Sequence, residues 1–125
     1  VIGDFLIQGG AYTADMQQKP ERAPVANEAA NGLSNLRGTL AAARRITDST
    51  SATSQFFINT VDNRQLDYRG DATAALAGFC VFGRVVEGMD VVDRIRVVPT
   101  GAKPPLAADV PVTPVLVESA KALDE

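Results

Sequence analysis

The apolar residues of this chain fall mainly in short β-prone runs, and one stretch alone, Glu87 to Arg96, repeats them convincingly at helical spacing. Five runs read as strands: Asp4 to Gln8, Gly38 to Ala43, whose small residues could equally start a helix, Gln55 to Asn59, Phe79 to Val85 and Val115 to Ala120. In the helical stretch Met89, Val92 and Ile95 form the apolar stripe with Val91 beside them. Glu87, Asp90, Asp93, Arg94 and Arg96 supply the wet face. Pro99, Pro104, Pro105, Pro111 and Pro114 are expected to break all regular structure between that helix and the last strand. The pattern predicts a mainly β, antiparallel fold with one helix. Five short strands are few for a closed barrel, and an open sheet leaves edges that something must cover. At 125 residues and 46% hydrophobic the chain has room for one core, and no repeat or linker divides it, so residues 1–125 are expected to be a single domain.

The connections are long. Ala11 to Leu36 has no period and carries Pro20, Pro24 and the Asn31-Gly32 turn signal; a loop of about 25 residues inside a compact domain usually has a function or is disordered. Ile46 to Ser54 is a Ser/Thr-rich loop. Asp62 to Gly78 is a third, with an alanine-rich middle, Ala72 to Ala77, able to form one or two helical turns.

Composition removes several chemistries. The chain has no histidine, which excludes a Ser-His-Asp triad and a histidine zinc site together. A net charge of -3 gives no support for a nucleic-acid partner, and Arg44-Arg45 reads as a solvated pair rather than a binding patch. Cys80, the lone cysteine, can form no intrachain disulfide, and its neighbours Phe79, Val81 and Phe82 predict a buried, inert thiol. The uncharged run Ala72 to Gly83 is too short to cross a bilayer. The chain opens at Val1 and enters an apolar run at once, with the expectation that part of the protein precedes it.

The run QFFIN, Gln55 to Asn59, is the clearest strand. With a period of two, Gln55, Phe57 and Asn59 share one face, while Phe56 and Ile58 share the other and form the natural core pair. In FLIQ, Phe5 and Ile7 likewise oppose Leu6 and Gln8. A surface lined by Leu6, Gln8, Gln55 and Phe57 would be an apolar floor edged with amides, suited to an apolar group flanked by peptide N–H and C=O groups. The same pattern is also that of amides pointing into solvent at sheet edges, and the pattern alone favours that plainer reading.

The segments FLIQGG, NGLSNLRGTLAAAR, SATSQFFIN and VFGRVVEGMDVVDRI, in this order, resemble the consecutive signatures of the cyclophilin-type peptidyl-prolyl cis-trans isomerases. MQQKP, the Asn27 to Leu33 run and the wording SATSQFFIN resemble the bacterial branch. The resemblance runs through practically the whole chain. It implies an eight-stranded antiparallel β-barrel capped by two helices, of which this chain would carry one helix, the first strands and first helix being absent. It also implies an enzyme acting on Xaa–Pro peptide bonds and assisting protein folding.

Residue by residue, the resemblance implies that Phe5 and Leu6 help form a proline pocket and that Gln8 contacts the substrate backbone. Ala43 would line the neighbouring pocket, and Arg44 would grip the peptide through its backbone. Gln55 would stand beside that grip, Phe57 would floor the pocket, Leu66 would wall it, and Phe79 would occupy a position that is aromatic in bacterial members. At Gln65 the family commonly has Trp or Phe, which implies weaker binding of apolar substrates and of cyclosporin-like macrocycles. Val1-Ile2 match the end of the family's Phe-His-Arg-Val-Ile segment, placing its catalytic arginine just upstream and implying that residues 1–125 alone are inactive. No cofactor or metal is implied. The partners implied are proline-containing peptides and unfolded proteins, without nucleic acid or membrane, for a protein that is a monomer when complete. The compartment stays open between cytoplasm and periplasm, with a slight lean to the cytoplasm. Two other readings remain: a peptide-binding module of the same fold without turnover, and an unrelated ligand-binding β protein.

Overall fold

The structure, a computed structural model, describes residues 1–123. Four short strands build an antiparallel sheet: β1 (Leu6–Gly9), β2 (Thr39–Ala42), β3 (Phe56–Asn59) and β4 (Val81–Arg84), in the spatial order β1-β3-β2-β4. One helix follows, α1 (Met89–Ile95), and then a two-stranded ribbon of β5 (Thr100–Lys103) and β6 (Leu106–Pro111). Single 3-10 turns lie at Ala29–Asn31 and Arg64–Leu66. The fold is therefore mainly β and antiparallel with one helix; among the described residues the sheets do not close into a barrel.

Register decides which side chains meet. Gln8 lies opposite Phe57 on β3, Ala41 lies opposite Phe57 from the other side, and Val81 lies opposite Ala41. Directly opposed residues share a face of the sheet, so Leu6, Gln8, Ala41, Phe57, Asn59 and Val81 line one surface. On it Leu6, Ala41, Ala43, Phe57 and Val81 form the buried apolar cluster, against which Phe5, Leu66 and Phe79 pack.

That arrangement corrects the expected core pair. Phe57 is 2% exposed, whereas Phe56 and Ile58 are only half-buried. The cause is the connection from β3 to β4, which folds back over the Phe57 face and lays Leu66 and Phe79 on it. Its alanine-rich middle closes one hydrogen-bonded turn, Ala77 N–H to Thr73 C=O.

The C-terminal reading needs a second correction. Val115 to Ala120 is exposed and belongs to no strand. The pairing instead occurs in the proline-rich stretch, where Thr100 faces Pro111 and Lys103 faces Leu106. The prolines do not interrupt this ribbon because Pro104 and Pro105 sit in its turn and Pro111 ends its second strand. Helix α1 forms within the expected span, starting after Gly88, and buries Val92 between half-buried Met89 and Ile95. Its Asp93 holds Arg37 in a two-pronged ion pair, both contacts 2.8 Å, and Arg37 also donates to Thr60 C=O. The helix is thereby tied to the segment that enters β2.

Candidate active site

All nine residues singled out by the resemblance lie around the buried face of β3. Phe57 is the centre. Its ring meets that of Phe79 edge-on, with centroids 5.8 Å apart at 71°, an arrangement that aromatic quadrupoles favour. Leu6 and Ala43 are buried beside it, and Phe5 and Leu66 are half-buried at its border. The result is an apolar patch whose floor is nearly covered and whose walls, Phe5, Leu66 and Phe79, remain accessible.

The two glutamines edge this patch. Gln8 Nε2 donates to Gln55 Oε1 at 2.8 Å. Gly10 makes that approach possible: its φ of +97° is in the left-handed region, and a Cβ there would come within 3.2 Å of the Gln55 Cα. The pairing engages one donor and one acceptor and leaves Gln55 Nε2 and Gln8 Oε1 without a protein partner among the described residues. The backbone N–H and C=O of Arg44, on the same border, likewise have none there. The amides thus stand beside the aromatic floor and bond each other, while Gln8, on edge strand β1, remains exposed, as the solvent-facing alternative had it.

Sequence reading missed how the walls are held. Asn35, Asn59 and Asn63 are buried, at 0%, 0% and 2% exposure, and buried amides must find partners. Asn63 Nδ2 donates to Phe5 C=O at 2.9 Å and to Asn59 Oδ1 at 2.8 Å. Asn59 Nδ2 donates to Asn35 Oδ1 and to the Thr39 hydroxyl. Asn35 Nδ2 in turn donates to Phe79 C=O at 3.2 Å and to Asp67 Oδ1 at 3.1 Å. One polar network therefore grips the backbones of Phe5 and Phe79, and Phe79 N–H adds a 2.8 Å bond to Leu66 C=O. Burial by itself pushes the Asp67 carboxyl up, but hydrogen bonds from the Ser34 hydroxyl and from the Asn35 backbone and side chain, with the charge of Arg64, bring it below the usual carboxylate range. The sequence signals were the density of asparagines in segments read as loops and the place of Asn59 on the Phe57 face of QFFIN.

Gln65 is exposed and donates to Asn63 Oδ1 at 3.3 Å, so an amide stands at the position where the resemblance leads one to expect a ring. Arg44 departs from its reading as a solvated residue: its side chain is half-buried and its guanidinium lies 4.4 Å over the Phe79 ring. Cys80 is half-buried, and burial pushes its thiol up, away from the thiolate a nucleophile needs. A separate cavity of about 290 Å³ opens beside Phe56, Cys80 and Phe82; it shares Arg44 and Gln55 with the site but not its aromatic floor.

Residues 1–122 match the family model described as cyclophilin type peptidyl-prolyl cis-trans isomerase/CLD. The chain belongs to this family. It is 54% identical over 123 residues to peptidyl-prolyl cis-trans isomerase cyp18 of Streptomyces antibioticus, covering 98% of this chain and 72% of that protein. It is 50% identical over 119 residues to peptidyl-prolyl cis-trans isomerase B of Escherichia coli K12, covering 95% of this chain and 71% of the relative. A relative from Acinetobacter baylyi, also called a peptidyl-prolyl cis-trans isomerase, is 54% identical over 100 residues, 80% of this chain and 50% of its own length. These relatives are bacterial, as the wording of the MQQKP and SATSQFFIN segments led one to expect.

Proposed function

We propose that this protein is a peptidyl-prolyl cis-trans isomerase whose substrate groove is the patch of Phe5, Leu6, Phe57, Leu66 and Phe79 bordered by Gln8, Gln55, Ala43 and Arg44. The observation that carries the reading is the juxtaposition of a buried aromatic floor with a linked pair of glutamines that keeps one amide donor and one carbonyl acceptor free. A proline ring is apolar, and the peptide groups on either side of it each need a donor or an acceptor.

The reaction needs no covalent chemistry. Rotation about Xaa–Pro is opposed by a barrier of about 18–20 kcal/mol, because the nitrogen donates its lone pair into the carbonyl. No bond is made or broken, so neither nucleophile nor metal is required; the site has to bind the twisted imide better than either planar form. The floor and walls hold the ring, Gln55 Nε2 and Gln8 Oε1 hold the neighbouring peptide groups, and the backbone of Arg44 holds the extended chain. Rotation then takes place between two anchored ends. Residues 1–125 belong to a single cyclophilin-like domain in this reading. With Gln65 at the wall, cyclosporin-like macrocycles bind weakly and the preferred partners are proline-containing segments of unfolded chains.

The test is a protease-free isomerisation assay of the full-length protein on an Ala–Pro peptide, with Phe57→Ala as the variant. Acceleration by the parent and loss of most of it in a folded Phe57→Ala protein is the expected outcome. A parent that binds the peptide without accelerating exchange would favour the binding-module reading, and a variant within twofold of the parent would remove Phe57 from the site.

A further inference from the structure

The Arg44 side chain works on the protein itself. Its Nε and Nη2 both donate to Gly78 C=O, at 3.0 and 2.9 Å, and Nη2 also donates to Ala74 C=O at 2.8 Å. Its Nη1 donates to Arg45 C=O at 2.8 Å. No carboxylate among the described residues forms an ion pair with it, so the guanidinium is engaged entirely with main-chain carbonyls. Its guanidinium carbon lies over the Phe79 ring, which itself meets Phe57 edge to face.

The turn it binds has no freedom to spare. Gly78 sits at φ +71°, and a Cβ there would lie 2.5 Å from the Tyr68 nitrogen. The turn therefore lies flush on the Asp67-Tyr68 backbone, and Phe79 leaves it in a direction set by Gly78. Only a planar fork can bond two carbonyls of this turn and stack on the following ring at once. Lysine offers a point charge with no such plane.

We propose that the Arg44 side chain is a positioning residue of the proline pocket, clamping the Ala74–Gly78 turn and fixing the tilt of the Phe79 wall against Phe57. This deepens the isomerase reading and rests on it. A wall that is in place before the peptide twists contributes equally to ground and transition states. Its loosening therefore raises KM and leaves kcat nearly unchanged.

The experiment uses the full-length protein with Arg44→Met, which keeps length without donors, and Arg44→Lys, which keeps the charge without the fork. KM and kcat are measured on an Ala–Pro peptide, and the Phe79 ring resonances are followed in phenylalanine-labelled protein. Arg44→Met is expected to raise KM about three- to tenfold, the range for loss of a cation–π contact with its attendant bonds, with kcat within about twofold and the Phe79 resonances displaced. Arg44→Lys is expected to fall between it and the parent on both readouts. Parent-like KM and unmoved Phe79 resonances in either folded variant would overturn the proposal, as would an equal fall in kcat and kcat/KM. If Arg44→Met does not fold, the lysine variant decides by the same criteria. A parent without isomerase activity would refute the functional reading alone, and displacement of the Phe79 ring in the variants would still judge the clamp.

Discussion

Replacing Asn63 by alanine should cost the fold about 2–4 kcal/mol, and the structure shows where that comes from. The side chain is 2% exposed and makes three bonds: to Asn59 Oδ1, to Phe5 C=O and from Gln65. They do not weigh equally. Gln65 is exposed and can turn to water, and Phe5 C=O keeps the Thr60 N–H at 3.1 Å. Asn59 is fully buried, and its Oδ1 has no other donor among the described residues. Orphaning that acceptor costs about 1–3 kcal/mol, and loss of the Phe5 bond adds about 0.5–1.5 kcal/mol. This is a large part of the stability of an ordinary domain, about 5–15 kcal/mol. Urea unfolding of parent and variant measures it: the midpoint should fall with an unchanged slope. Asn63→Asp, which keeps the shape but sets a carboxylate oxygen against Asn59 Oδ1, should cost at least as much near neutral pH. A loss below about 0.5 kcal/mol for the alanine variant would mean that the amide network does not hold the Phe5 wall.

Two further predictions concern the rim and the acid limb. Gln55→Ala removes one peptide-orienting amide, a bond worth about 0.5–1.5 kcal/mol net, so kcat/KM on an Ala–Pro peptide should fall roughly three- to tenfold; unchanged kinetics in a folded variant would return the glutamine pair to solvent. The Asp67 carboxyl is lowered in the folded protein from its ordinary value of 3.8, so its contribution to stability is fully present above that value and is lost as the pH falls through the lower folded one. Unfolding midpoints recorded from pH 6 downward should therefore converge for parent and Asp67→Asn as the pH falls below the ordinary carboxylate value of 3.8, and parallel curves would contradict the carboxylate's role.

Much of the sheet was legible, because QFFIN and FLIQ combine β-prone residues with a clear period. The choice of core face was not. Phe56 and Ile58 looked like the apolar pair, yet Phe57 is buried because the β3–β4 connection brings Leu66 and Phe79 onto its side, a long-range event that a five-residue period does not encode. The β5–β6 ribbon was hidden for a different reason. Most of its residues are exposed or half-exposed, so backbone pairing forms it without an apolar alternation, and its prolines read as breakers although they occupy the turn and the end. At the site, the residue types suggested an amide-edged floor, while the individual roles came from the family's segments. The asparagine network and the Arg44 clamp were not legible, since their key partners, among them the carbonyls of Phe5, Gly78 and Phe79, are distant in sequence.

The most direct measurement is exchange spectroscopy on an Ala–Pro peptide mixed with isotopically labelled full-length protein, reading the cis-trans rate and the protein's own shifts in one sample. Exchange should become far faster than the spontaneous tens to hundreds of seconds, with the largest shifts at Phe5, Gln8, Gln55, Leu66 and Phe79. Unaccelerated exchange, or shifts confined to the Phe56, Cys80 and Phe82 cavity, would contradict the placement of proline-peptide isomerisation on the Phe57 face.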